Sequence, residues 1–114
     1  MARSVKKVVL GEVAVDSGHL MVIDPLYLYR LEQAAHAAGK SVSEVALDVA
    51  YECASRKGLG GQVDFPSGVS GMAVAFQSGI GDGVYPVVGH IRDLSGWGKR
   101  LVKVEIVLRH PVVR

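Results

Sequence analysis

The sequence predicts an α+β fold: a mainly antiparallel β-sandwich or partial barrel of about five strands with an inserted helical pair. Three observations carry this expectation. Segments of period-two apolar alternation cluster at both ends of the chain, clearest where Val102, Val104, Ile106 and Leu108, expected to face inward to a core, interleave with outward Lys103, Glu105 and Val107. Residues 25–57 instead carry helix start and stop signals around apolar stripes of helical spacing. The 14 glycines in 114 residues supply many tight turns, which favours short strands over long helices. One domain spanning 1–114 is expected, because two separate cores at this length would each be marginal.

Residues 7–16 read as the first strand, with Val13 and Val15 between Glu12, Ala14 and Asp16. Ser17-Gly18 turns the chain, and residues 19–23 form a strand apolar on both faces, expected to be covered on both sides. Asp24-Pro25 then starts a helix. The aspartate accepts from free backbone N–H groups, and proline fits the first position because its missing N–H is not needed there. Leu28, Leu31, Ala35 and Ala38 form the buried stripe, and Gly39 closes the helix. Ser41 and Glu44 make a capping box for a second helix, whose stripe is Val42, Val45, Val49 and Cys53, widened by Ala46 and Ala50. Arg56 and Lys57 complement its dipole, and Gly58 ends it.

Residues 59–71 read as a loop or pair of turns around Pro66 and Ser67. Residues 72–76 form a strand with one small face, Ala73 and Ala75, which suits close approach by another element. Asp82-Gly83 reads as a hairpin turn. Residues 84–91 form a strand in which Pro86 requires an edge or a bulge. Residues 92–100 read as a loop holding Trp97, before the last strand.

The formal charge is only +2, so charge alone does not imply nucleic acid. Lys6, Lys7, Arg92, Lys99, Arg100 and Lys103 read as solvated surface. Cys53 is the single cysteine, which excludes an intrachain disulfide and a structural cysteine-based zinc site within one chain. The apolar run Val8–Leu10 is too short for a signal peptide or a membrane span, so a soluble, cytoplasmic protein is expected.

Asp16, Asp24 and Asp82 are the first candidates for chemistry, each at a strand end or turn. Brought together they form a candidate site for a divalent cation, Mg²⁺ or Ca²⁺, or an acid–base pair, with His19 as base or ligand. Each also has a structural reading, as helix cap or turn former, and that reading is preferred. His90 is a second histidine near a strand end. Cys53 reads as a small core residue. Trp97, between glycines, is either a loop anchor or a contact for a partner. The turn 78–83 offers backbone N–H groups to a phosphate, without the lysine and helix of a P-loop.

Two blocks carry a resemblance. Val15-Asp16-Ser17-Gly18 followed by Ile23-Asp24-Pro25-Leu26-Tyr27 is the first, and Gly81-Asp82-Gly83-Val84-Tyr85-Pro86-Val87 the second. Their DSG…DPxY and GDGxYPV patterns resemble a family of uncharacterised bacterial proteins, domain of unknown function 4241. Tyr51 and Cys53 resemble a tyrosine–cysteine pattern of the same family. Relatives often carry cysteine after Asp-Pro, where this chain has Leu26, so a thiol is not available there. The resemblance implies a compact β-rich domain and no particular substrate. Residues 25–56, with the preceding strand, also look like a ribbon-helix-helix DNA-binding unit. That strand offers His19 but lacks the Arg, Lys, Asn or Gln that read bases.

The leading expectation is therefore a non-enzymatic binding or accessory module, with a second copy of the chain as a candidate partner. The alternatives are a metal-assisted hydrolase using the clustered aspartates and a ribbon-helix-helix-like DNA-binding protein.

Overall fold

In the computed structural model, residues 5–55, 57–65 and 68–109 are described. The expected roles of Arg56, Pro66 and Ser67 lie outside them. The fold is α+β: the described residues form two helices and six strands in two antiparallel sheets, with no closed barrel among them. The strands are β1 (Lys6–Val15), β2 (His19–Ile23), β3 (Gly60–Val63), β4 (Ala73–Gln77), β5 (Gly83–Leu94) and β6 (Gly98–Ile106). The helices are α1 (Leu28–Ala38) and α2 (Val42–Ala54). The chain falls into two compact units. One is Asp16–Gly81; the other is built on β1, β5 and β6.

In the first unit the sheet order is β2-β4-β3, and α2 packs on β4 and β3. The core joins Leu31 and Ala35 of α1, Val45, Ala50 and Cys53 of α2, Val63, Ala73 and Ala75 of the sheet, and Met72 just before β4. Ala75 is fully buried, so the small face expected on this strand is where the helix comes close. Local signals set the helices as expected. Asp24 Oδ1 accepts from the Leu26 N–H at 2.9 Å, but the Pro25–Tyr27 turn it caps is 3₁₀, with α1 following. Gly39 closes α1 at φ 66°. Both bonds of the Ser41–Glu44 capping box are present.

The segment read as a loop after α2 contains β3. Its turn signals are real, because Gly58 and Leu59 stand in succession at φ 84° and 65°. They reverse the chain sharply, and the four residues that follow pair with β4. Gly60 is required there, since a Cβ would lie 2.7 Å from Phe76 Cβ and 3.0 Å from the Ala75 carbonyl oxygen.

In the second unit the sheet order is β1-β5-β6. Two expectations are corrected. Residues 92–100 are not a loop: β5 runs to Leu94, and a short turn carrying Trp97 leads into β6 at Gly98. Glycines on both sides of Trp97, at φ 79° and 75°, make so tight a hairpin feasible. Asp82-Gly83 is not a hairpin turn either, because β4 and β5 belong to different sheets. Pro86 lies in the central strand, opposite Glu12. Its carbonyl accepts from the Val107 N–H at 3.2 Å, so its missing donor faces the side where the ladder with β6 ends at Ile106. On that side it occupies an edge, as the chemistry of proline demands.

Replacing Gly60 by alanine forces the new methyl against the backbone of β4, which cannot swing away. Gly60→Ala is expected to destabilise the protein by about 1–3 kcal/mol, read from the shift in the urea unfolding midpoint. Gly89→Ala meets mainly the flexible end of Leu101 and is expected to cost distinctly less.

Candidate functional site

The sequence candidates are dispersed by role. Asp24 is the cap described above. Asp16 is exposed at the β1–β2 junction, and Asp82 is exposed just before β5. Among the described residues no three His, Cys, Asp or Glu side chains group closely enough to hold a metal ion.

His19 opens β2. Its Nδ1 lies 2.8 Å from the Ser17 carbonyl oxygen. A carbonyl only accepts, so Nδ1 carries the proton and, in the neutral ring, Nε2 is the acceptor. The ring meets Tyr51 of α2 edge-on, with centroids 4.6 Å apart. Ser17 Oγ donates to the His19 carbonyl at 3.3 Å, not to the imidazole, so the two do not form a nucleophile–base pair. Ser17, His19, Met21, Ala46 and Ala50 line a shallow, mostly apolar pocket of about 170 Å³. The arrangement offers one acceptor beside apolar walls.

Cys53 is buried, and its thiol donates to the Gln62 carbonyl at 3.6 Å, a structural contact. Two of the backbone donors that the phosphate-cradle reading of the 78–83 turn relies on are spent on internal bonds. The Ser78 N–H bonds to the Gly18 carbonyl at 2.9 Å, and the Gly81 N–H points to the Ser78 carbonyl at 3.4 Å. The buried Ser78 hydroxyl donates to the Gly81 carbonyl at 2.7 Å. A ribbon-helix-helix use of β2 meets a geometric conflict, because one edge of β2 is paired along its whole length with β4 of the same chain.

Three features escaped sequence reasoning. The first is a histidine–carboxylate pair on the β1-β5-β6 sheet. His90 of β5 is buried and stands opposite Lys7 of β1 and Lys103 of β6. Its Nε2 donates to Glu105, its diagonal neighbour on β6. Lys103 Nζ lies 3.9 Å from the same carboxylate oxygen. The hydrogen bond from His90, then the Lys103 charge, hold the Glu105 carboxyl below its ordinary value. Alternating sequence positions hinted at the shared face, but not at the diagonal.

The second is an apolar face on that sheet. Val104 stands opposite Gly89, and Leu101 opposite Ile91. A Cβ on Gly89 would lie 2.7 Å from Leu101 Cδ1 and 3.1 Å from Leu10 Cγ, so both leucines lean over this glycine. Leu10, Leu101 and Val104 are 51%, 52% and 50% exposed. The expectation that Val102 and Val104 point into a core is thereby corrected, and Trp97 at 70% exposure is not a loop anchor. The third is Arg30 of α1, whose guanidinium lies 4.9 Å from the Tyr29 ring centroid and 5.3 Å from that of Phe65.

Comparison with protein-family profiles, curated proteins and solved structures finds no match to this chain. Among the described residues no helix is long and apolar enough to cross a membrane.

The Glu105 shift has a definite sign. A carboxyl held low in the folded state contributes stability above its unfolded value, and loses it as pH falls through the folded one. Urea midpoints measured from neutrality into the acid range should fall for the wild type. Glu105→Gln should flatten the lowest part of that profile, whereas an unchanged slope would show that the pair does not couple to folding.

Proposed function

We propose that the chain is a non-enzymatic binding or accessory module that self-associates through the β1-β5-β6 sheet. One observation carries the reading: Leu10, Leu101 and Val104 form a half-exposed apolar patch on a sheet face. Contiguous exposed apolar surface marks interaction sites. Two such sheets packed face to face make the sandwich arrangement common for antiparallel sheets. The opposite face carries the charged groups of Lys7, Lys103 and Glu105, which reach solvent, while His90 is buried among them. Trp97, at the tip of the β5–β6 hairpin, is the aromatic contact this reading assigns to a partner.

The non-enzymatic part draws support from the bonding of the sequence candidates. Asp24, Ser17 and His19 each spend a polar atom on a neighbouring backbone group. A cytoplasmic, soluble protein is part of the same reading, supported by composition. The two motif blocks support kinship with domain of unknown function 4241, for which a compact β-rich domain is the expectation.

Sedimentation equilibrium from dilute to concentrated solution is the direct check. A dimer is expected for the wild type, and Leu101→Lys with Val104→Lys is expected to give a folded monomer. A wild type that stays monomeric throughout rejects the self-association. A substrate screen that finds turnover, lost in Asp82→Asn with the fold intact, rejects the non-enzymatic assignment.

A further inference from the structure

We infer that the cation-bearing face of the β1-β5-β6 sheet, with Trp97 at its hairpin tip, binds single-stranded nucleic acid. Side chains alternate along β5, so His90 and Arg92 share one face while Gly89, Ile91 and Asp93 share the other. Residues directly opposite in a ladder point the same way. Lys7 and Lys103 therefore stand beside His90, and Arg100 beside Arg92. All four cations are exposed. The described acids on this face are Glu105, which accepts from His90 and lies near Lys103, and Glu12, opposite Pro86 toward the other end of the strands. The inference goes beyond the self-association proposed above, because the apolar face that would pair two copies is the other one, and this face stays open in one copy or two.

The observation that points to a ligand is the Arg92–Arg100 pair. Opposed residues on antiparallel strands hold their Cβ atoms about 5 Å apart, and like charges so placed are destabilising. Neither guanidinium forms a hydrogen bond or ion pair with a described residue. The neighbouring acid, Asp93, stands on the other face, opposite Lys99. A phosphate set between the two guanidiniums relieves their repulsion and gives each fork an acceptor. Lys7 and Lys103 make a second row, two residues along β5 and so about 7 Å away, a spacing that suits successive phosphates of one extended strand. Trp97 is 70% exposed, three residues from Arg100. Unpaired bases stack on such a ring, and a basic surface joined to an aromatic platform is the usual composition of a single-strand site. A bilayer fits less well, since it favours apolar side chains beside the cations, and Leu10, Leu101 and Val104 lie on the other face.

Trp97 is the one tryptophan of the chain, so its fluorescence reports the site directly. The full chain is titrated with oligo(dT) and oligo(U) of about 15 nucleotides. A duplex of the same length and vesicles of phosphatidylserine with phosphatidylcholine are the other arms. Quenching by the single strands is expected at about 50 mM salt, with a log–log salt slope of about −2 to −3 for three or four phosphate contacts. Binding of either oligomer supports the site, and the tighter one assigns it to DNA or to RNA. Arg92→Gln with Arg100→Gln should weaken binding at least about tenfold and make the slope shallower by about 1.4. Lys6→Gln with Lys99→Gln removes the same charge from the other face and should change binding less than about threefold. Should the arginine variant fail to fold, Lys7→Gln is expected to weaken binding severalfold with a slope shallower by about 0.7. No quenching at low salt, equal weakening by the Lys6 and Lys99 changes, or duplex or vesicles bound as tightly as the oligomers would each overturn the proposal.

Discussion

The close approach of α2 to β4 is the packing constraint on which the Asp16–Gly81 unit depends. Ala73 and Ala75 leave room for Ala50 and Cys53, and longer side chains fill the flanks: Val45, Val63, Met72 and Leu31. A bulky residue at Ala75 would have to displace a helix whose start is fixed by a capping box and whose neighbour α1 is closed by a left-handed glycine. Interiors packed at crystal-like density do not absorb such a change cheaply. The residues around its pockets inherit their positions from this packing. His19 meets Tyr51 of α2, and Tyr27 and Phe65, which line a pocket with Arg30, pack against the same core.

The β1-β5-β6 unit is held differently. Its strands are long and well paired, but no described helix belongs to it, and one face carries half-exposed leucine and valine. A few antiparallel strands are stable when an apolar face is buried against something. The open side chains of Leu10, Leu101 and Val104 are therefore the physical reason to look for a partner there. The His90–Glu105 pair on the other face adds a pH-dependent contribution.

Signals confined to a few residues were legible in the sequence: Asp24-Pro25, Ser41 with Glu44, Gly39, and the small face of β4. Each acts through neighbours in the chain, so spacing alone reveals it. Pairings between distant residues were not legible. β3 was hidden because Gly60-Gly61-Gln62-Val63 lacks alternation, and its strand character comes from a ladder with β4. The β5–β6 hairpin was hidden because Arg92, Asp93, Lys99 and Arg100 are charged, although they stand opposite one another as Arg92–Arg100 and Asp93–Lys99 pairs. Alternation in β6 correctly marked a strand and wrongly implied a covered face, since a pattern says which residues share a side and not what lies on it. Arg30 drew no attention because nothing in its local sequence separates it from an ordinary helix-surface arginine.

The central claim is that the Asp16–Gly81 unit carries its own core, while the β1-β5-β6 sheet gains protection from a second copy. Native-state amide hydrogen exchange at low and high protein concentration tests it most directly. The account predicts slow exchange in Ala73–Gln77 that is independent of concentration, and exchange in Gly83–Leu94 that slows as concentration rises. Equally slow, concentration-independent exchange in both strands would contradict it.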